Sequence, residues 1–72
     1  MSKPIPVVVA EGIAKMYGYH QVVILAREVG FPGNEHVTTY GTNAQHCEVA
    51  ARMGDYLKFE VMKWPPTMKE PR

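Results

Sequence analysis

Four side chains of the sequence belong to the types that bind metals or act as nucleophiles. They are His20, His36, His46 and Cys47. Imidazole and thiolate are common zinc ligands, but the spacing of these four residues matches no familiar zinc motif. His46 and Cys47 would be neighbours in a helix and would point about 100° apart, so one metal ion could not easily use both. We predict no metal site and no cofactor.

Cys47 could also be a nucleophile, because it lies near the start of a predicted helix and a histidine could serve as its base. The adjacent His46 is the obvious candidate base, but adjacent helical side chains diverge. Cys47 also falls on the apolar stripe of that helix, which predicts a packed core position. We therefore predict no catalytic residues and a chain that is not an enzyme.

Residues 38–43 form the third candidate, a ligand-binding turn before a helix. Hydroxyl side chains, a glycine and the free backbone N–H groups at a helix start suit an anion or a phosphate. Arg27 on the neighbouring strand could add a guanidinium, and aromatic rings could stack on the ligand. The predicted ligand-binding residues are Arg27, His36, Thr39, Tyr40, Thr42 and Asn43. The alternative is purely structural: Thr42 caps the helix, Gly41 makes the turn and the threonines form the strand.

These side chains are positioned by a helix, a hairpin and a second helix. After Pro6, apolar residues recur with helical spacing, and Gly18 is placed to end that first helix. The members of its apolar face are Val8, Val9, Ile13, Ala14 and Tyr17. Residues 21–28 are a β-branched run of strand length with two apolar faces, and residues 35–40 have the composition of a second strand. The turn-rich stretch between them predicts an antiparallel hairpin.

A long C-terminal helix follows the hairpin. Thr42 and Gln45 fit a capping box, and the pattern runs to Trp64 before two prolines stop it. The predicted stripe that packs on the hairpin contains Cys47, Ala50, Gly54, Leu57, Val61 and Trp64. Other apolar residues lie off this stripe and predict a second, intermolecular surface. The predicted interface residues are Met53, Tyr56, Met62 and Trp64, although Trp64 could equally close the domain's own core.

We predict one α+β domain of αββα order over residues 1–72, with an ordered core from about 7 to 65 and a flexible tail at 66–72. A chain of this length buries only about 60% of the surface that its unfolded form exposes. Such a chain usually needs an additional source of stability, such as a disulfide, a metal or a partner subunit. A single cysteine excludes an intrachain disulfide. A homodimer or higher oligomer that completes the cover of the sheet is therefore expected.

Composition limits the classes of partner and the cellular location that we expect for the protein. Eight Lys and Arg against seven Asp and Glu give a formal charge of +1, and the basic residues are scattered, so nucleic-acid binding is not expected. No segment is apolar for long enough to span a bilayer, so no membrane partner is predicted. One free cysteine and the lack of a signal sequence predict a cytoplasmic location.

The sequence resembles a group of short proteins encoded by tailed phages and prophages. The resemblance covers residues from about Ile13 to Pro65. It is carried by Gly18-Tyr19-His20-Gln21-Val22-Val23, Glu35-His36-Val37-Thr38-Thr39-Tyr40-Gly41, His46-Cys47, Ala50-Ala51, Gly54-Asp55, Leu57-Lys58 and Val61-Met62-Lys63-Trp64-Pro65. The group brings no established activity or catalytic residues. Its pattern usually carries glycine where this chain has Lys63, which puts a tight turn before Trp64 in doubt.

The resemblance implies a host bacterial cytoplasm and an accessory role, since small phage proteins often sequester host immune nucleotides or inhibit host proteins. We expect a non-enzymatic binding protein that sequesters a small phosphorylated ligand, such as a nucleotide, and so counters host defence. The alternative is an inhibitor that docks onto a host protein. A structural or assembly role is the third hypothesis.

Overall fold

The computed structural model describes residues 3–30 and 33–68. Helix α1 spans Val7–Tyr17, strand β1 Gln21–Arg27, strand β2 Glu35–Gly41 and helix α2 Ala44–Asp55. A π-helical turn over Tyr56–Val61 prolongs α2, and Pro66–Met68 form a 3₁₀ turn. The predicted αββα order is confirmed. Of the predicted tail, residues 69–72 lie outside the described residues.

Helix α1 ends where the sequence predicts. Gly18 has a left-handed backbone with φ 78°, and its N–H donates to the carbonyl oxygen of Ala14. The packed face of α1, however, differs from the predicted one. Ala10 and Ala14 are its buried residues, whereas Val8 and Tyr17 are exposed. The small residues face the sheet because they let the helix backbone come close to the strands.

The two strands pair antiparallel, with Gln21 opposite Gly41 and Arg27 opposite Glu35. Because side chains alternate along a strand, each strand presents two faces. Val37 and Thr39 project toward α2, since both would contact a Cβ placed on Gly54. His36 and Thr38 project to the other side, where they bind the carbonyl oxygen of Ile5 just before α1. The hairpin is therefore covered by α2 on one face and by α1 with its leading segment on the other.

Helix α2 packs on the hairpin through Ala50 and Gly54, two residues of the predicted stripe, but the stripe does not bury Cys47. Its buried residues are Ala50 and Gly54, while Cys47 is exposed, so the core assignment of Cys47 is wrong. A Cβ added to Gly41 would lie 2.0 Å from the backbone nitrogen of Cys47. Such a close approach brings the backbone of Cys47, rather than its side chain, against the strand.

The start of α2 also corrects a prediction. Asn43, not Thr42, is the N-cap residue, and its Oδ1 accepts a 2.9 Å hydrogen bond from the N–H of His46. The predicted capping box of Thr42 and Gln45 is therefore wrong, and a simple cap one residue later takes its place. Asn and Ser or Thr are comparable caps, so composition alone does not choose between neighbouring candidates.

The helical segment stops at Val61, short of the predicted end at Trp64. In its last turn the N–H of Met62 donates to the carbonyl of Leu57, which is the wider spacing of a π-helix. Lys63 then adopts a left-handed conformation with φ 62°. The N–H of Trp64 closes the end by donating to Lys58. A tight turn forms here although lysine stands where glycine would be the easier residue.

Trp64 returns to the domain after this turn. Its Nε1 donates a 2.9 Å hydrogen bond to Oε1 of Glu35, and its ring meets Phe59 edge-on at 6.5 Å. Nζ of Lys58 lies over the ring, 5.6 Å from its centroid. The indole therefore joins the end of the helical segment to the start of β2.

The core of the domain is thin. Its buried side chains in the described ranges are Ala10, Ala14, Ala50 and Thr38, and no large side chain is fully buried. Burial of alanine removes little apolar area from water, so it contributes far less than burial of leucine or phenylalanine. The layered packing thus leaves most of the large apolar side chains partly or largely exposed.

Candidate functional site

The predicted ligand-binding residues are divided between the two ends of the hairpin. Arg27 and His36 lie near the connecting loop, whereas Thr42 and Asn43 follow the opposite end of β2. The two ends are separated by the length of the strand, about 20 Å at about 3.3 Å per residue. The six residues therefore do not surround one small ligand.

At the α2 end, three backbone N–H groups bond within the chain. The N–H of Thr42 donates to the carbonyl of His20, and that of Cys47 donates to the carbonyl of Asn43. The side-chain oxygen of Asn43 accepts a hydrogen bond from the N–H of His46. Of the N–H groups that no intrahelical bond satisfies at this helix start, that of His46 is thus occupied by the cap.

A small polar cluster accompanies the start of α2. Nε2 of Gln21 lies 2.8 Å from Nδ1 of His46, and the rings of His20 and His46 are 5.2 Å apart. Since the amide of Gln21 donates, Nδ1 of His46 accepts and its other ring nitrogen carries the hydrogen. The contact fastens α2 to the first residue of β1. No group of three or more His, Cys, Asp or Glu in the described ranges is arranged to hold a metal ion.

The middle of β2 is engaged in packing. Thr38 Oγ1 donates a 2.7 Å hydrogen bond to the carbonyl of Ile5, and Nε2 of His36 lies 2.8 Å from that hydroxyl and 3.1 Å from the same carbonyl. These contacts are all satisfied when Nε2 of His36 carries a hydrogen. Thr39 lies against Gly54 on the opposite face. His36 and Thr38 therefore hold the segment before α1 across the hairpin.

That segment and the hairpin enclose a groove of about 380 Å³ at the loop end. We call it the Arg27 groove. Its lining residues are Lys3, Pro4, Ala26, Arg27, Glu28, Asn34, Glu35 and His36. The volume lies in the range of small-molecule sites, about 300–1,000 Å³. The sequence prediction included Arg27 and His36 but missed the other six residues, because nothing local indicates that residues 3–5 cross the hairpin.

Arg27 and Glu35, which both line the Arg27 groove, form an ion pair. Nε of Arg27 donates to Oε2 of Glu35 at 2.9 Å, while Oε1 of the same carboxylate accepts from Trp64. Glu35 is therefore held through both oxygens and fixes the position of Arg27. The ion pair uses Nε, which leaves the terminal guanidinium nitrogens of Arg27 for a further acceptor.

The predicted interface residues lie on the α2 side of the molecule. Met53 and Tyr56 are exposed, Met62 is half-buried, and Trp64 is half-buried by its contacts with Glu35 and Phe59. Their role between molecules stays a prediction. Cys47 is exposed beside the half-buried His46, at a helix start without a metal-binding group in the described ranges.

Comparison of the chain with protein-family models, with curated proteins and with solved structures yields no match. In the described part of the chain, no helix has the length and apolar character needed to cross a membrane.

Proposed function

We propose that the protein is a non-enzymatic binding protein that holds a small phosphorylated ligand in the Arg27 groove. The observation that carries the proposal is the groove itself, which Lys3, Arg27 and His36 line at the loop end of the hairpin. Arginine and lysine are the usual partners of phosphate, and a guanidinium fixed by a carboxylate is already oriented for an acceptor.

The mixed charge of the Arg27 groove favours a nucleotide over a bare phosphate. Besides its basic residues, the groove contains Glu28, Asn34 and Glu35, which carry acceptor oxygens. A nucleotide offers phosphates to the basic side chains and donates hydroxyl and amino hydrogens to such acceptors. Sequestration of such a ligand would suit the host-defence role that the resemblance to short phage proteins implies.

The test is calorimetric titration with nucleoside mono- and diphosphates and with pyrophosphate. Arg27→Ala should weaken nucleotide binding by about tenfold or more, since a charged hydrogen bond is worth roughly 1.5–3 kcal/mol. Arg52→Ala is the matched control, because Arg52 forms a similar exposed ion pair with Glu48 on α2, away from the groove. Equal affinities for Arg27→Ala and the native protein would refute the groove as the site.

Inhibition of a host protein is the second proposal, and the exposed side chains of Met53 and Tyr56 favour it. Two large apolar groups one helical turn apart are a typical anchor for a partner. A partner held by this surface should be lost with Tyr56→Glu and kept with Arg27→Ala. The opposite pattern would assign the interaction to the groove.

A further inference from the structure

Helix α1 presents an apolar surface to solvent. We call the surface of Val8, Val9, Gly12 and Met16 the outer face of α1. Met16 is 76% exposed and Val8 64%; Val8, Gly12 and Met16 are four residues apart, and Val9 lies three residues before Gly12. A helix on the surface of a domain normally carries polar residues on the side away from the core. Here the side toward the core holds alanines and the side toward solvent holds the large apolar groups.

The only charged residues of α1 are Glu11 and Lys15, which pair with each other at 3.5 Å along one flank of the helix. The solvent-facing side of α1 therefore lacks the polar residues that usually make such a surface favourable in water. The core against which it packs has no fully buried large side chain. A domain of this size without a disulfide usually gains its missing stability from a partner subunit.

We propose that the outer face of α1 packs antiparallel against the same face of a second copy, about a two-fold axis at Gly12. In this arrangement Val8 lies opposite the partner's Met16, and the two glycines meet at the axis. A Cβ built on Gly12 has no neighbour within 4 Å, so the glycine leaves room for a close approach of the second helix.

The charges of α1 favour a second copy of the chain as the partner that covers the outer face of α1. In an antiparallel pair about a two-fold axis, each flank of a helix meets the same flank of its partner. The flank of α1 carries both Glu11 and Lys15, so Glu11 comes to within about 3 Å along the helix axis of the partner's Lys15, and the contact occurs twice. The face is thus complementary to itself in both shape and charge.

The expected dimer is weak. An 11-residue helix is about 16 Å long, so the contact is smaller than the standard interface of about 800 Å² per partner. We expect a dimer that dissociates on dilution through the micromolar range, roughly the affinity of transient interfaces.

The experiment is sedimentation velocity over a concentration series, with circular dichroism to check folding. Met16→Glu should raise the dimer dissociation constant by about tenfold or more, because it replaces a buried apolar group by a charge. Met53→Glu is the control on α2 and should dimerise like the native protein. A native chain that is monomeric throughout, or a dimer lost with Met53→Glu but kept with Met16→Glu, would overturn the proposal.

A charge exchange tests the antiparallel pairing itself. Glu11→Lys places like charges against each other twice and should weaken the dimer. Combining Glu11→Lys with Lys15→Glu restores opposite charges and should return the affinity to that of the native protein. A double variant that dimerises no better than Glu11→Lys alone contradicts the proposed arrangement. The result is independent of ligand binding, because α1 contributes no residue to the Arg27 groove.

Discussion

At the scale of single residues, Lys63 adopts an unfavourable backbone conformation that allows a long-range contact of Trp64. Its left-handed backbone, with φ 62°, turns the chain so that Trp64 reaches Glu35. A non-glycine residue in this region costs about 1–2 kcal/mol. We predict that Lys63→Gly raises the free energy of unfolding by up to about 1 kcal/mol, because part of the gain is lost to the flexibility of glycine in the unfolded chain.

Urea denaturation followed by the fluorescence of Trp64 measures this effect. Lys63→Ala is the matched variant: it removes the same side chain but keeps the Cβ, so no comparable gain is expected. Equal stabilisation by both variants would show that the charge of Lys63, rather than its backbone, is unfavourable.

Asn43 provides a second prediction at this scale. Its side chain caps α2 through the N–H of His46, so Asn43→Ala should lower the free energy of unfolding by about 1 kcal/mol. Thr42→Ala, one residue earlier, should stay within about 0.5 kcal/mol of the native protein. A larger loss for Thr42→Ala than for Asn43→Ala would show that Thr42 is the capping residue, as the sequence alone predicted.

At the scale of elements, the closeness of α2 to the hairpin depends on Gly54. A Cβ at this position would lie 2.7 Å from Cγ2 of Thr39 and 3.2 Å from Cγ1 of Val37. Gly54→Ala should therefore destabilise the domain by about 1–3 kcal/mol, although alanine favours the helix. Chemical denaturation measures the loss.

A double-mutant cycle tests whether a clash with Thr39 causes the loss of stability expected for Gly54→Ala. Thr39→Ser removes the closest methyl group, so Gly54→Ala should cost less in the Thr39→Ser background than in the native one. Additive losses would mean that the methyl of Thr39 is not what opposes a side chain at residue 54.

The elements themselves were predictable because their signals are local. The β-branched residues of β1, the turn residues after it and Gly18 at the end of α1 each act on their own neighbours, and the strand bounds agree to within a residue. The exposure of Cys47 was not predictable in this way. It depends on the backbone contact between Gly41 and Cys47, which exists only after the helix has docked.

The Arg27 groove was missed for a related reason. It exists because His36 and Thr38 bind the carbonyl of Ile5, a contact between residues more than thirty positions apart. Arg27 and His36 could be selected from their chemistry. Their separation from Thr42 and Asn43 already follows from the predicted antiparallel hairpin, because Arg27 ends the first strand whereas Thr42 follows the second.

At the scale of the whole molecule, two helices cover a two-stranded sheet around a core of small side chains. The packing leaves large apolar groups on α1 and on the α2 side, and it places a polar groove at the loop end of the hairpin. The proposed assembly and the proposed ligand binding therefore use different surfaces. Variants of one surface should leave the function of the other intact.

The most direct test of the proposed function is a ¹H–¹⁵N correlation spectrum of the native protein titrated with nucleoside mono- and diphosphates. We expect saturable shifts at Ala26, Arg27, Asn34, Glu35 and His36, and little change in these residues when Arg27→Ala is titrated. Shifts centred on Thr42, Asn43 and His46 instead, or no saturable shift with any of these nucleotides, would contradict the assignment of a phosphorylated ligand to the Arg27 groove.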